Sequence, residues 1–178
     1  VAGGFTVNGL FLMTLQSAEF DMRAAGTIGL VPFGSMNVSG HVALGTTGIA
    51  GSFALNNGAQ VIRTGIGIEA QALFQLDINT RAVQLAVTRP GINASTGEVS
   101  GTTTFQLQAR SFAVFMAGRL QFRDQNNALS FAMFGGFSAV AGQLSVPGGS
   151  VESGIQIEVI TAVLRLNAGG TTLARDSP

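Results

Sequence analysis

Residues 66–78 read IGIEAQALFQLDI, and this stretch decides the fold class. Apolar side chains stand at every second position from Ile66 to Ile78, and glycine, charged and amide residues fill most of the positions between them. Successive side chains of a β-strand point to opposite faces, so this alternation is typical of a strand with one buried face. No window of ten residues in the chain carries a convincing helical stripe. The sequence therefore predicts an all-β protein.

The same alternation recurs along the chain between short, turn-like segments. Turns are expected near residues 16–18, 45–48, 56–58, 79–81, 124–127 and 147–150. Links this short cannot carry a crossover connection, so they favour an antiparallel meander over a parallel βαβ layout. The longest loop is expected at residues 89–97.

Each predicted strand has an apolar side, expected to point inward, and a polar side, expected to point outward. The inward set includes Phe53, Phe74, Leu76, Leu107, Phe112, Met133 and Phe137, and the outward set includes Asp21, Arg23, Gln75, Asp77 and Gln106. Leu10 and Leu12 stand on the polar side and break the pattern. The apolar face has to be covered, because each large side chain left in water forfeits about 1.5–3 kcal/mol. A sandwich, a barrel, a U-shaped groove or a dry fibre core would each cover it.

The chain also repeats itself. Residues 7–30 align without a gap with residues 99–122, at a shift of 92 positions. The identical pairs are Val7/Val99, Gly9/Gly101, Leu15/Leu107, Gln16/Gln108, Phe20/Phe112, Ala25/Ala117 and Gly26/Gly118. We therefore predict two modules, residues 1–92 and 93–178, both parts of a longer array of tandem antiparallel meanders. The predicted architecture is an elongated sandwich, a solenoid-like array or a groove-like array.

Composition excludes several kinds of partner. Nine arginines and nine acidic residues give a formal net charge of zero, so the chain has no basic field that would attract nucleic acid. No apolar run approaches the roughly 18 residues that a membrane-spanning helix needs. The chain has no cysteine, which removes disulfides, thiolate metal sites and cysteine nucleophiles. Neither nucleic acid nor a transmembrane helix is expected.

Few residues could carry chemistry. His41 is the only histidine, and we predict that it lies on a strand surface rather than in a zinc site or a catalytic triad. Glu19 and Asp21 stand two residues apart and so share a strand face. The second repeat has Ser111 and Ala113 at the aligned positions, so a solvated strand face is predicted instead of a paired-carboxylate site.

Two further acidic features were candidates for binding. Residues 124–127 read DQNN, which predicts a turn rather than a calcium loop. Glu69 and Glu158 recur at equivalent positions, where they could contact a neighbouring module or discourage edge-to-edge pairing as exposed charges. The sequence nominates no catalytic, cofactor-binding or metal-binding residue. We predict that the chain is not an enzyme and uses no cofactor.

A resemblance adds a functional expectation. Residues 74–80 read FQLDINT and are set among strands rich in Phe, Gly and Ala. In this pattern the chain resembles repeat modules of very large bacterial secreted or surface proteins. The resemblance implies a filament, stalk or adhesin built from many copies, secreted or displayed on the cell surface, and it transfers no functional residue.

The functional prediction is a structural repeat module that assembles end to end with other copies by β stacking and apolar packing. An alternative comes from the alternating apolar pattern, which also resembles that of β-groove proteins that pass lipids between membranes. In that case the apolar face would be an elongated groove for lipids or other hydrophobic ligands. A third possibility is an adhesin whose turns contact a surface.

Overall fold

The fold is given by a computed structural model, and every regular element among the residues that it describes is a β-strand. The structure describes residues 5–15, 18–30, 34–57, 68–93, 95, 99–123, 129–145, 150–168 and 171–176. The strands are β1 (Phe5–Leu15), β2 (Glu19–Leu30), β3 (Gly34–Gly45), β4 (Gly48–Asn56), β5 (Ile68–Asn79), β6 (Leu85–Ile92), β7 (Val99–Leu107), β8 (Ser111–Arg123), β9 (Leu129–Ser145), β10 (Val151–Ala168) and β11 (Thr171–Asp176). The predicted all-β class is confirmed. Among the described residues, no helix has the length and hydropathy needed to cross a membrane.

Nine strands form one antiparallel sheet in the order β1-β2-β3-β4-β5-β8-β9-β10-β11. Neighbours in this sheet follow each other along the chain except where β5 pairs with β8, so the predicted antiparallel meander is confirmed. The expected turn at residues 45–48 is present, with Gly45 paired to Gly48. Gly48 has a φ of +123°, which a side chain would strain. The intervening strands β6 and β7 form a separate hairpin.

The β6–β7 hairpin packs on one face of the sheet. Leu73 and its neighbours on the sheet form one buried apolar cluster, against which Ile92 of the hairpin packs. In a second cluster, Leu107 and Val87 of the hairpin pack with Ala113 of β8. The core of the molecule therefore lies between the hairpin and the middle of the sheet. We call the face under the hairpin the covered face and the opposite one the open face.

The covered face is not the one that the alternation predicts. Gln75 and Asp77, expected to point outward, lie on the covered face, and Asp77 is 0% exposed. Phe112 and Met133, expected to point inward, lie on the open face and are each 49% exposed, and Phe137 is also exposed. Periodicity assigns residues to two faces, but the face that is covered depends on where a distant hairpin packs. This hairpin brings its own apolar side chains and an arginine that can pair with a buried acid.

On the hairpin itself the sequence pattern is followed. Leu107 is buried and Gln106 is exposed, as predicted. The loop expected at residues 89–97 is shorter, because β6 continues to Ile92 and β7 begins at Val99. The predicted boundary between the two modules falls inside this hairpin. Strand β1 pairs with β2, whereas its aligned counterpart β7 pairs with β6, so the division into two modules stays a prediction.

Candidate functional site

A buried ion pair joins the hairpin to the sheet. Asp77 projects from β5 close to the end of the strand, and its Oδ2 accepts a hydrogen bond from Arg89 Nε at 3.0 Å. Its Oδ1 accepts from the Ser52 hydroxyl at 2.7 Å and from Gln75 Nε2 at 2.8 Å. Gln75 Nε2 also lies 3.1 Å from the Thr88 carbonyl oxygen of the hairpin. With three donors around it, the carboxylate is satisfied without water, as a buried charge requires.

The arginine of this pair is held from several sides. Its guanidinium carbon lies 3.7 Å from the centroid of the Phe105 ring and 5.8 Å from that of Phe115, both of which are cation–π distances. Arg89 Nη1 donates to the Ser138 hydroxyl at 3.1 Å, which links the hairpin to β9. Arg89 Nη2 is buried and has no hydrogen-bond partner among the described residues. These contacts fix the position of the hairpin on the sheet.

An asparagine fixes the ends of the hairpin strands. Asn79 Nδ2 donates to the carbonyl oxygens of Val83, at 2.8 Å, and Gln108, at 2.9 Å. Its Oδ1 accepts from the backbone N–H of Arg81 at 3.2 Å. Asn79 is 0% exposed, and these backbone groups satisfy its buried amide. Together with the ion pair, Asn79 attaches the hairpin to this face of β5.

Glu19 and Asp21, which the sequence places on one face of a strand, contact different partners. Glu19 Oε2 accepts from Arg81 Nη2 at 2.7 Å, whereas Asp21 accepts from His41 and Arg23. His41 lies on the surface of β3 with its side chain about half exposed, as predicted. In the part of the chain that the structure describes, no three His, Cys, Asp or Glu residues stand close enough to hold a metal ion.

Aspartate, histidine and serine also meet on neighbouring strands. His41 Nε2 lies 2.6 Å from Asp21 Oδ2, and Ser52 of β4 faces His41 across the sheet. The Ser52 hydroxyl, however, donates its hydrogen bond to Asp77 at 2.7 Å. A nucleophilic serine has to give its proton to the histidine, so these residues have the types of a catalytic triad without its hydrogen bonds.

The contact between Asp21 and His41 has a consequence for acid stability. Hydrogen bonding from His41, and to a smaller extent the charge and hydrogen bond of Arg23, hold the pKa of Asp21 below its usual value of 3.8. Since the folded state binds this proton more weakly than the unfolded chain, the stabilisation is present above pH 3.8 and is lost as the pH falls through the lowered pKa.

Replacing His41 by alanine is expected to raise the pKa of Asp21 toward 3.8, because it removes the largest cause of the shift. Titration of the Asp21 carboxyl carbon by NMR measures this pKa directly. The Arg23→Ala variant is the control and should raise the pKa less. An unchanged Asp21 pKa in His41→Ala would mean that the histidine contact is not formed in solution.

The two recurring glutamates have different surroundings. Glu69 Oε1 lies 3.5 Å from Nε of Arg123, on the neighbouring strand β8. Glu158 is exposed on β10, where it faces Ser138 across the sheet. Residues 124–127, the predicted turn, lie outside the described residues. The sequence identified both glutamates, but it could not tell that, among the described side chains, an arginine lies beside Glu69 and none forms an ion pair with Glu158.

The open face carries an apolar groove of about 940 Å³ over β5, β8, β9 and β10. Small residues that are cross-strand neighbours form its floor: Ala72, Gly118, Gly135 and Ala162. Larger side chains stand in rows on the two sides of the floor: Met116, Phe137 and Val159 on one, and Leu120, Met133 and Leu164 on the other. The floor crosses the strands, and three strand spacings of about 4.8 Å give it a length of about 14 Å.

The strand β1 forms one edge of the sheet, and β2 is its only partner among the described strands. On the open face it carries Phe11, Met13 and Leu15, and on the other face Leu10 and Leu12. All five side chains are more than half exposed. Strand β1 contains no charged residue. It is therefore an edge strand that is apolar on both faces. Leu10 and Leu12, which break the alternation in the sequence, are the apolar residues of one of these faces.

The described residues thus offer a structural ion pair, an apolar groove and an apolar edge strand. The sequence predicted the position of His41 on a strand surface, but it missed the pairing of Asp77 with Arg89, because these residues were placed on an outer face and in a loop. No protein-family profile, curated protein or solved structure matches this chain.

Proposed function

We propose that the chain is a structural β-sheet module that assembles end to end with further copies of itself, secreted or at the cell surface. The observation that carries the proposal is the edge strand β1, which is apolar on both faces and uncharged. The sequence repeat between residues 7–30 and 99–122 supports an array of such modules. The location rests on the resemblance to bacterial surface repeats.

The physical reason is the exposure of backbone groups and apolar side chains at the same edge. An edge strand presents unpaired N–H and C=O groups, and monomeric proteins protect such edges with charged side chains, prolines or bulges. Strand β1 contains no charged residue and no proline. Pairing with an edge strand of another copy would satisfy its backbone groups and would place apolar side chains of that strand beside Leu10 and Leu12 on one face and beside Phe11, Met13 and Leu15 on the other.

Replacing Leu12 by lysine is expected to weaken self-association at least about tenfold, because it removes a leucine whose burial contributes about 1.5–3 kcal/mol and places a charge on the edge. Sedimentation velocity over a range of protein concentrations measures the association. The control is Asn8→Lys, which adds the same charge to the same face of β1 without removing apolar surface. If Leu12→Lys associates as strongly as the unsubstituted chain, β1 is not the assembly edge.

A hydrophobic-ligand function is the second candidate, and the groove on the open face favours it. Its volume of about 940 Å³ lies within the range of about 300–1,000 Å³ that is typical of ligand pockets, and its lining is mostly apolar. Extraction of the purified, folded protein with organic solvent, followed by mass spectrometry, distinguishes the two functions. Lipid in stoichiometric amount would favour the groove, whereas a lipid-free assembly of folded chains would favour the structural module.

A further inference from the structure

A polar cleft lies between the hairpin and the sheet, on the covered face and away from the groove. It has a volume of about 140 Å³, which would hold about five waters at roughly 30 Å³ each. Its lining comes from β7 of the hairpin and from β9 and β10 of the sheet, so it is a space between two layers. The residues that matter for its chemistry are Phe105, Gln106, Ser138, Val140, Gln156 and Glu158.

Hydrogen-bonding groups line the β10 side of this cleft. Gln156 and Glu158 stand two residues apart and project from the same face of β10, opposite Val140 and Ser138 of β9. The Ser138 hydroxyl accepts a hydrogen bond from Arg89 Nη1, so its own proton is available to another acceptor. The amide of Gln156 offers donors and an acceptor, and the carboxylate of Glu158 offers acceptors only.

The apolar part of the lining is held rigidly. The Phe105 ring is stacked on the Arg89 guanidinium, and Arg89 is anchored by its pairing with Asp77. Val140 packs against the same apolar cluster as Phe105. A ligand in the cleft would therefore meet a fixed apolar surface on one side and polar groups on the other.

Glu158 differs in its surroundings from Glu69, the glutamate at the equivalent position of the first repeat. Glu69 has the guanidinium of Arg123 at 3.5 Å, whereas Glu158 has no ion pair with any side chain that the structure describes. Glu158 is one of the residues that line the cleft. The carboxylate is thus available to hydroxyl groups of a ligand, and the neutral Asp77–Arg89 pair behind the cleft adds no net charge.

We propose that this cleft binds a single sugar ring, such as the terminal residue of a glycan. A pyranose has a C–H face that can pack on Phe105 and Val140, and it has hydroxyl pairs that can donate to Glu158 and exchange hydrogen bonds with Gln156. The size of the cleft suits one ring and not a longer segment. The site is independent of the assembly proposed above, because it contains neither β1 nor the open face.

The test uses methyl α-D-glucopyranoside, methyl α-D-mannopyranoside and N-acetyl-D-glucosamine as probes, each titrated into the isotope-labelled chain and followed by NMR. We expect at least one of them to shift the backbone amide signals of Gln106, Gln156 and Glu158. Glu158→Ala should weaken this binding about tenfold or more, since it removes a charged acceptor. Glu152→Ala is the matched control, an exposed glutamate on the same strand and face that is not part of the cleft.

The binding is also expected to persist in the Leu12→Lys variant, so that failure of the assembly proposal leaves this one unaffected. Gln106→Ala provides a second substitution at an exposed position of the cleft, and it should weaken binding as well. Absence of amide shifts with all three sugars, or equal binding by Glu158→Ala and Glu152→Ala, would overturn the proposal.

Discussion

Replacing Asp77 by alanine is expected to destabilise the fold by about 3–5 kcal/mol, which is among the largest effects of a single substitution in this chain. The substitution leaves the Arg89 guanidinium buried between the hairpin and the sheet without its carboxylate. It also leaves the hydroxyl of Ser52 and the amide of Gln75 without a common acceptor. Urea unfolding of the monomeric chain measures the loss of stability.

The control for this prediction is the double variant Asp77→Leu/Arg89→Met. Removing both charges together eliminates the uncompensated cation, and apolar side chains of similar size can fill the space. We expect the double variant to be more stable than Asp77→Ala. A cost below about 1 kcal/mol for Asp77→Ala would show that water or another group reaches the arginine, and that the pair does not hold the hairpin in place.

The alternation of residues 66–78 was enough to predict the strand class, and short turns were enough to predict the antiparallel order. Both are local properties, because the period of two and the length of a link depend on neighbouring residues only. The position of β6 and β7 outside the nine-stranded sheet, in contrast, is not a local property. It depends on β5 pairing with β8, more than thirty residues further along the chain, and no periodicity within either strand encodes that pairing.

The alternation predicted the wrong face of the sheet to be buried for the same reason: burial depends on a hairpin that is distant in the sequence. Gln75 and Asp77 look like solvent-facing residues until Arg89 is brought to them by the hairpin, and a charge on a strand is then compatible with complete burial. Composition gives no warning of this pairing, since both arginine and aspartate are mostly exposed in folded proteins. The polar cleft was missed for a related reason, because Phe105, Ser138 and Glu158 come from three strands that are separate in the sequence.

Leu15 and Leu107 provide a comparison within one chain, because they are aligned in the sequence repeat and have opposite environments. Leu107 is 0% exposed and packs in the cluster with Val87 and Ala113, whereas Leu15 is 81% exposed at the end of β1. Leu107→Ala is expected to cost about 2–5 kcal/mol, from lost burial and the cavity that remains. Leu15→Ala in the monomer is expected to change stability by less than about 0.5 kcal/mol.

The pair of variants tests the fold at the point where the sequence repeat and the structure disagree. If the two halves of the chain folded as equivalent modules, Leu15 and Leu107 would occupy equivalent positions and their replacement would cost the same. Urea unfolding of both variants, under conditions where the chain is monomeric, decides between these outcomes. A clearly larger loss for Leu107→Ala would show that β7 packs over the sheet and buries Leu107, whereas Leu15 is exposed on the edge strand β1. Equal losses would contradict the placement of the hairpin.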